Sequence, residues 1–343
     1  MLNEKRPFAV VTVLSAQGST PLPAGAHALI EADGAIHGTV GGGAVEAEAI
    51  RQAMAALTTQ ERRVFDFDLH GPGPHDPSPI CGGRMRLLVD PRPAEFAEAL
   101  SKLLNALAER KRGWWIFGLG EKMPWNLRCY FTEAGQPFPR GGLQEALCIS
   151  AGLSTEAAVY LPPIPGQRGE ILMEPVVPVP RLVMVGGGHV GQAVAAQAAL
   201  LGFEIIVVED RPEFARPALF PPGTHTLCGD IEKTLASLSW DRDTSVVLAT
   251  RGHQKDAEAL RICIQRCTGY LGMIGSRRKV PLMRQMFLER GWATAEQWEK
   301  VYAPIGLDIG AVTVQEIATA ILAQIIAVRR KGNAPRIPLA SDS

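Results

Sequence analysis

Several stretches of this sequence carry residue types that can hold an anion or handle a soft element. Gly186-Gly187-Gly188-His189-Val190-Gly191 fits G-x-G-x-x-G, a turn whose glycines let backbone N–H groups approach a phosphate at a helix start. Acids follow at Glu209 and Asp210, at the spacing of about 20 residues where a dinucleotide-binding unit places its ribose-binding carboxylate. Gly41-Gly42-Gly43 also feeds a helix-forming run. It offers a second anion site, or only a tight strand-to-helix turn. Cys81-Gly82-Gly83 closes the Gly/Pro/His/Asp-rich loop His70–Pro79, where a thiol is accessible and the flanking backbone can come close to a ligand. Such a cysteine can be a soft-metal ligand, a sulfur carrier or a nucleophile; the plain alternative is a small apolar filler. His70, His75 and Asp76 with Cys81 match no standard zinc spacing, and a solvated loop is the simpler reading.

The elements that must position these groups differ between the two halves. Leu182–Val185 reads as a buried strand. Val190, Val194, Ala198 and Leu201 then recur at helical spacing, Gly202 supplies a stop, and Ile205–Val208 reads as a second strand. Strand, glycines, helix, strand and acid in that order make a Rossmann-like unit. Strands at His225–Leu227, Ser245–Ala249 and Tyr270–Ile274 alternate with helices at Ile231–Leu238, Asp256–Cys267 and Leu282–Arg290. That alternation predicts an α/β fold with a doubly wound parallel sheet in the order 3-2-1-4-5.

Ligands of such sheets bind outside the carboxyl ends of the strands. Here those ends carry Gly186–Gly191, Glu209-Asp210-Arg211, Cys228–Asp230, Thr250-Arg251-Gly252-His253 and Gly275-Ser276-Arg277-Arg278-Lys279. Solubility does not require Arg251, His253, Arg277, Arg278 and Lys279 on one rim, and a phosphorylated ligand would supply the missing negative charge. His189 sits by that ligand or is an exposed loop residue. Asp308, in the apolar loop Ala303–Gly310, either gathers loop N–H groups or faces the ligand. The helix Val314–Arg330 follows.

Residues 1–179 predict a mixed α+β domain. Phe8–Leu14, the hairpin His27–Ile30 with Ala35–Val40, Arg63–Leu69, Arg84–Val89, Trp114–Phe117, Asn126–Phe131, Glu156–Leu161 and Glu170–Val177 read as strands. Ala44–Leu57 and Pro93–Arg110 read as helices. Pro175, Pro178 and Pro180 mark a linker, so the second domain is expected over residues 180–343.

Composition narrows the function classes. In 343 residues, Lys plus Arg and Asp plus Glu number 35 each. Residues 181–343 hold 19 basic and 16 acidic residues, and residues 1–180 hold 16 and 19. Neither half has the excess of a nucleic-acid binder. Phe8–Leu14 is too short for a signal-peptide core, and Ile317–Val328, with Gln324 inside it, is too short to span a bilayer. The six cysteines form no C-x-x-C pair, which argues against a disulfide framework and for a cytoplasmic protein.

Taken together, the motifs resemble the xanthine dehydrogenase accessory proteins of XdhC type and their carbon monoxide dehydrogenase relatives. The residues that carry the resemblance are Gly18-Ser19-Thr20-Pro21, Gly38–Gly43 with Glu46, Cys81-Gly82-Gly83, Gly186–Gly191, Asp210-Arg211, Arg251-Gly252-His253 with Asp256, Gly275–Lys279, and Pro304–Gly310 leading to Glu316. Leu22 and Glu209 stand where that family often has arginine and aspartate. The resemblance implies a cofactor chaperone or maturation factor rather than a catalyst of metabolic turnover. It would bind molybdenum cofactor (molybdopterin), assist its sulfuration with a cysteine desulfurase, and insert it into a molybdenum hydroxylase such as xanthine dehydrogenase. It places Cys81 at the molybdenum or its sulfur. It places Gly41, Gly42, Gly43, Gly82, Gly83, Gly186, Gly188, His189, Gly191, Asp210, Arg211, Arg251, His253, Ser276, Arg277, Lys279 and Asp308 around the cofactor, with a homodimer as one arrangement. The rival reading is an NAD(P)-dependent oxidoreductase that uses the Rossmann domain conventionally, or binds another nucleotide. A third is a scaffold that handles no cofactor.

Overall fold

A computed structural model describes residues 6–69, 82–119, 128–132, 137–138, 157–161 and 170–337. The chain forms two compact units, residues 1–178 and 179–343.

In the first unit, alternation along Phe8–Leu14 gives a strand with two apolar faces. β1 (Phe8–Gln17) is the middle of an antiparallel sheet with β2 (His27–Glu31), β3 (Ile36–Gly38), β4 (Arg63–Asp68) and β5 (Arg84–Asp90), in the order β3-β2-β1-β5-β4. Ala9, Val11 and Val13 of β1 pack with Ala28 and Ile30 of β2 against α1 (Gly43–Thr59), whose Val45, Ala49, Ala53 and Ala56 form the buried stripe. A stripe made mostly of alanine lets the helix lie close on the sheet.

A second antiparallel sheet has the order β8-β7-β6-β10-β9. Its strands are β6 (Gly113–Leu119), β7 (Arg128–Thr132), β8 (Pro137–Phe138), β9 (Val159–Leu161) and β10 (Glu170–Val176). A 3-10 turn at Pro93–Phe96 leads into α2 (Ala97–Ala108). Phe96, Ala99 and Ala106 pack there with Leu14 and Leu88 from the first sheet and with Trp115, Phe117, Leu172 and Val176 from the second.

The second unit is a six-stranded parallel sheet in the order β13-β12-β11-β14-β15-β16. The strands are β11 (Arg181–Val185), β12 (Glu204–Glu209), β13 (His225–Cys228), β14 (Thr244–Leu248), β15 (Tyr270–Met273) and β16 (Val301–Tyr302). The helices are α3 (His189–Leu200), α4 (Ile231–Ser237), α5 (His253–Cys263), α6 (Lys279–Glu289), α7 (Ala295–Trp298) and α8 (Val314–Lys331). Five strands stand in the expected order, and the structure adds β16 beyond β15. Two residues are too few to show a periodicity, which is why the sequence reading omits this strand. α5 and α6 start three residues earlier than expected. His253 and Lys279 are therefore the first residues of helices rather than loop residues.

The loop after β16 is pinned from below. Gln324, fully buried in α8, accepts from the Gly306 N–H (2.8 Å) and the Tyr270 hydroxyl (2.7 Å). Its amide donates to the Gly306 carbonyl (3.0 Å) and the Pro335 carbonyl (2.9 Å). All four hydrogen-bonding positions are filled, which is why an amide is tolerated in an apolar helix face. Gln324→Leu leaves these partners unsatisfied and is expected to cost about 2–4 kcal/mol. Urea unfolding followed by circular dichroism would show the midpoint fall; an unchanged midpoint would mean the network carries no net stability.

Candidate functional site

In the second unit the glycine turn between β11 and α3 divides its work among three positions. Gly186 has φ 111°, and a Cβ there would lie 2.2 Å from the Ala249 carbonyl oxygen at the end of β14. A Cβ on Gly191 would lie 2.0 Å from the Gly186 carbonyl oxygen, so the helix start is pressed onto the strand. Gly188, the residue before α3, would meet nothing within 4 Å. That open face above a helix N-terminus is where backbone N–H groups can receive a phosphate.

The neighbouring strands extend the same arrangement. β11, β14 and β15 are consecutive in the sheet, and α3, α5 and α6 begin at their carboxyl ends. None of these three helices has a side-chain cap. Their first residues are His189, His253 and Lys279, with Arg251, Arg278 and Ser276 in the approaches, and all six are exposed. A lysine at a helix N-terminus opposes the helix dipole, so stability does not account for Lys279 at the start of α6. The other helix starts in the unit are capped in the ordinary way. Asp230 accepts from the Lys233 N–H for α4. Thr294 with Gln297, and Thr313 with Glu316, form capping boxes for α7 and α8. The arrangement on β11, β14 and β15 suits a bound anion, whose charge would offset both the dipoles and the cations.

The ribose position is already engaged. Glu209, at the end of β12 and buried, accepts from the Gly187 N–H (2.7 Å) and the Arg211 N–H (3.1 Å). The Arg211 guanidinium also holds it two-handed, with Nε to Oε1 at 2.9 Å and Nη2 to Oε2 at 3.1 Å. Arg211 lies over the Phe214 ring at 4.1 Å. Burial alone would raise the Glu209 pKa, but the hydrogen bonds from Arg211 and Gly187 prevail and hold it at about 2. Asp210, more open, has its carboxyl pushed upward by burial and by Glu209 beside it. Arg211, expected to reach a ligand, is thus spent on Glu209.

Other expected contacts resolve differently. Arg277 pairs with Asp308 (Nη2–Oδ2 3.0 Å), both about half exposed. Asp256 accepts from the Thr250 N–H (3.0 Å) and hydroxyl (2.6 Å), fixing the end of β14. Burial raises the Asp256 pKa despite those bonds. Among the described residues, Arg251, Arg278 and Lys279 have no ion pair and remain as the available cations of this rim.

The first unit gathers a second set. A Cβ on Gly83 would lie 2.4 Å from the Ser19 carbonyl oxygen, and one on Gly41 would lie 2.6 Å from the Pro21 ring. Gly18-Ser19-Thr20-Pro21, Gly41–Gly43 and Gly82-Gly83, far apart in sequence, therefore meet at one edge of the first sheet. Gly42 precedes α1 without a side-chain cap, and a Cβ on Gly42 or Gly43 would meet nothing within 4 Å. Glu46, in the first turn of α1, accepts from the Thr39 hydroxyl at 2.5 Å. Its charge already answers the dipole, which makes this the weaker anion site of the two. Cys81, His70, His75 and Asp76 lie outside the described residues. Among the described residues no cluster of three or more His, Cys, Asp or Glu could hold a metal ion.

The low Glu209 pKa has a sign. A carboxyl whose folded pKa is about 2 against an ordinary 4.5 stabilises the fold above its unfolded value. That contribution is lost as pH falls from about 5 towards about 2, and the upward shift of Asp210 beside it offsets part of it. Glu209→Gln is expected to cost about 2–3 kcal/mol at neutral pH, with the gap to the wild type closing in acid. Denaturant midpoints across this range test it; a gap independent of pH would show that the carboxylate charge is not the cause.

The comparisons with known proteins bear on the family and the fold. Residues 182–325 match the XdhC Rossmann domain family, and residues 1–68 match the XdhC and CoxI family. The chain is 30% identical over 330 residues to the uncharacterized protein YqeB of Escherichia coli, covering 96% of this chain and 44% of that protein. It thus spans under half the length of that relative. It is 25% identical to a Bacillus subtilis protein named as a probable xanthine dehydrogenase subunit, with 96% of each covered. It is 26% identical to the molybdenum cofactor insertion chaperone PaoD of Escherichia coli, over 93% of this chain and 83% of PaoD. A crystal structure described as a xanthine dehydrogenase from Bacillus halodurans shares the fold, with TM-score 0.77, 21% identity, and 98% of this chain and 97% of that one covered. With both units matched by its domain families and the parallel sheet built as the glycine fingerprint requires, the chain belongs to the XdhC family.

Proposed function

We propose that this chain is a maturation factor for a molybdenum hydroxylase, and that it binds molybdenum cofactor by its phosphate at the crevice above β11, β14 and β15. The observation that carries the reading is the row of three adjacent, uncapped helix starts with basic first residues. It is a site with the phosphate half of a dinucleotide pocket in which Glu209 is committed to Gly187 and Arg211, leaving Asp210 as the more open carboxylate at the ribose position. Gly186, Gly188 and Gly191 shape the cradle. His189, Arg251, His253, Ser276 and Lys279 would surround the phosphate. Asp210, Arg211, Arg277 and Asp308 would order the loops beside it.

When bound, the cofactor supplies molybdenum and dithiolene chemistry; the chain binds, orients and shields it. In the first unit the glycine edge of Gly41–Gly43 and Gly82-Gly83 adjoins Cys81 in sequence. Cys81 is the thiol that would hold the molybdenum or its sulfur while a cysteine desulfurase delivers the sulfido ligand. Relatives named as an insertion chaperone and as part of a xanthine dehydrogenase support a partner of that hydroxylase class.

Protein purified without oxygen is expected to carry molybdenum together with pterin, read by metal analysis and mass spectrometry. NAD alone would turn the reading to an oxidoreductase, and neither ligand would leave a scaffold. Arg251→Ala with Lys279→Ala should lower cofactor retention about tenfold or more, the scale of losing charge-assisted contacts. Cys81→Ala should retain pterin but yield less active hydroxylase; full activity of the target enzyme would remove Cys81 from the reading.

A further inference from the structure

On one face of the second unit's sheet, α4, α5 and α6 share a core. There α4 and α5 lie against each other, while α5 and α6 leave a groove of about 960 Å³ between them. Its floor is apolar: Ala257 of α5, Leu282, Met283 and Met286 of α6, and Trp292 just beyond α6. Ala257 leaves open the space that a larger side chain on α5 would fill.

The residues of α6 divide between two surfaces. Val280, Met283 and Phe287 are buried against the sheet, at the spacing one helix face requires. Leu282 and Met286, four residues apart, line the groove instead, and Leu282 is 66% exposed. This second apolar stripe is not used by the fold of the unit. Trp292 is fixed beside it. Its ring meets Phe287 edge-on at 5.3 Å, and its carbonyl accepts from Gln265 at 2.8 Å. The Arg290 and Arg261 guanidinium groups lie 4.9 and 5.7 Å from the Trp292 ring centroid. A fixed tryptophan with arginines on it, next to methionines that can repack, is the composition of a protein-contact hot spot.

The rim has an unequal charge balance. Its acids are answered, Glu232 by Arg261 at 2.6 Å and Glu258 by Lys255 at 2.9 Å. Among the described residues, Arg290 and Lys279 have no ion pair, and Glu289, beside Arg290 in sequence, accepts from Gln285 at 2.7 Å. Lys279 opens α6 and Arg290 follows its last residue. Three helical turns separate them, about 16 Å at about 1.5 Å per residue. The matching occupant is an apolar strip of about that length with acids near its ends.

Other occupants fit less well. Small-molecule pockets enclose most of their ligand, whereas Arg261, Lys279, Leu282 and Arg290 are exposed along this groove. A flat bilayer cannot enter a concave surface. A second copy of this chain would bring its own unpaired cations to a rim that already has a surplus.

We propose that the groove between α5 and α6 docks an amphipathic helix of a partner protein. Its apolar stripe sits on Leu282, Met286 and Trp292, and its acidic flank faces Arg290 and Lys279. The inference does not rest on the molybdenum reading. The groove meets the crevice only at His253 and Lys279, and the test alters neither.

The test is fluorescence anisotropy, titrating the full chain into three labelled synthetic peptides. The first is a helix of about four turns with leucines along one face and glutamates on its flanks. The second carries lysines in place of the glutamates, and the third keeps the first peptide's composition with the leucines scattered. The first is expected to bind at least about tenfold tighter than the other two. Leu282→Asp, at an exposed position, should weaken the first peptide about tenfold or more while the circular dichroism melt stays near that of the wild type. Arg290→Glu should cut the preference for glutamates over lysines by about tenfold or more, and Arg251→Ala in the crevice should change nothing. No binding of the first peptide, equal binding of the lysine or scattered peptide, or unchanged affinity in Leu282→Asp would each overturn the proposal. So would sedimentation in which Leu282→Asp turns a wild-type dimer into a monomer, because a second copy would then fill the groove.

Discussion

A parallel sheet imposes one electrostatic condition on everything attached to it. Each strand ends at the same edge, and each helix that follows starts there, so the positive ends of the helix dipoles collect on one side. The chain can answer that charge with its own side chains or leave it for a ligand. It does both, strand by strand. After β13 and β16 the following helices start with Asp230 and with the Thr313–Glu316 box. After β11, β14 and β15 they start uncapped, behind histidine, histidine and lysine. The division follows position in the sheet. It places the starts without a side-chain cap together around β11 and β14, where the strand order reverses and ligands of this fold enter, although Asp256 stands in the first turn of the helix after β14.

The same edge shows how a dinucleotide scaffold can be turned to another ligand without changing its topology. The three glycines keep their usual duties: a sharp turn, an open face and a close helix contact. What changes is the carboxylate beside them. Glu209 reaches the Gly187 N–H and the Arg211 guanidinium together. The group that would read a ribose instead braces the glycine turn. Its low pKa reflects donors from its own loop rather than a vacancy awaiting hydroxyl groups. The glycine turn is thus braced from the side by Glu209.

How much of this was legible in the sequence depended on the range of the interaction. The parallel sheet was readable because strand, turn and helix signals are local and repeat. Gly186–Gly191 was readable because backbone conformation constrains residue type. The capping boxes at Thr294–Gln297 and Thr313–Glu316 carry a known spacing and were open to the same reading. By contrast, Arg211 looked like a ligand contact because nothing local says that a cation two residues after a buried glutamate will fold back on it. Gln324 read only as a polar residue inside an apolar stretch, since its partners Tyr270 and Gly306 are 54 and 18 residues away. The hydrogen-bonded chain from Thr12 through His27 to Glu174 in the first unit was beyond reach for the same reason. Its last step spans 147 residues and joins two different sheets. The start of α5 at His253 is a smaller case: Gly252 at φ 103° serves as the residue before the helix, where the sequence suggested loop.

The two halves of the chain differ in the sign of their small charge excess. Residues 1–180 carry a slight acidic excess and residues 181–343 a slight basic one. The totals are small, but their placement is not random. Among the described residues a cavity in the first unit is lined by the carboxylates of Asp90, paired with Arg62, and Glu174, while the second unit's crevice has Arg251, Arg278 and Lys279 exposed at its rim.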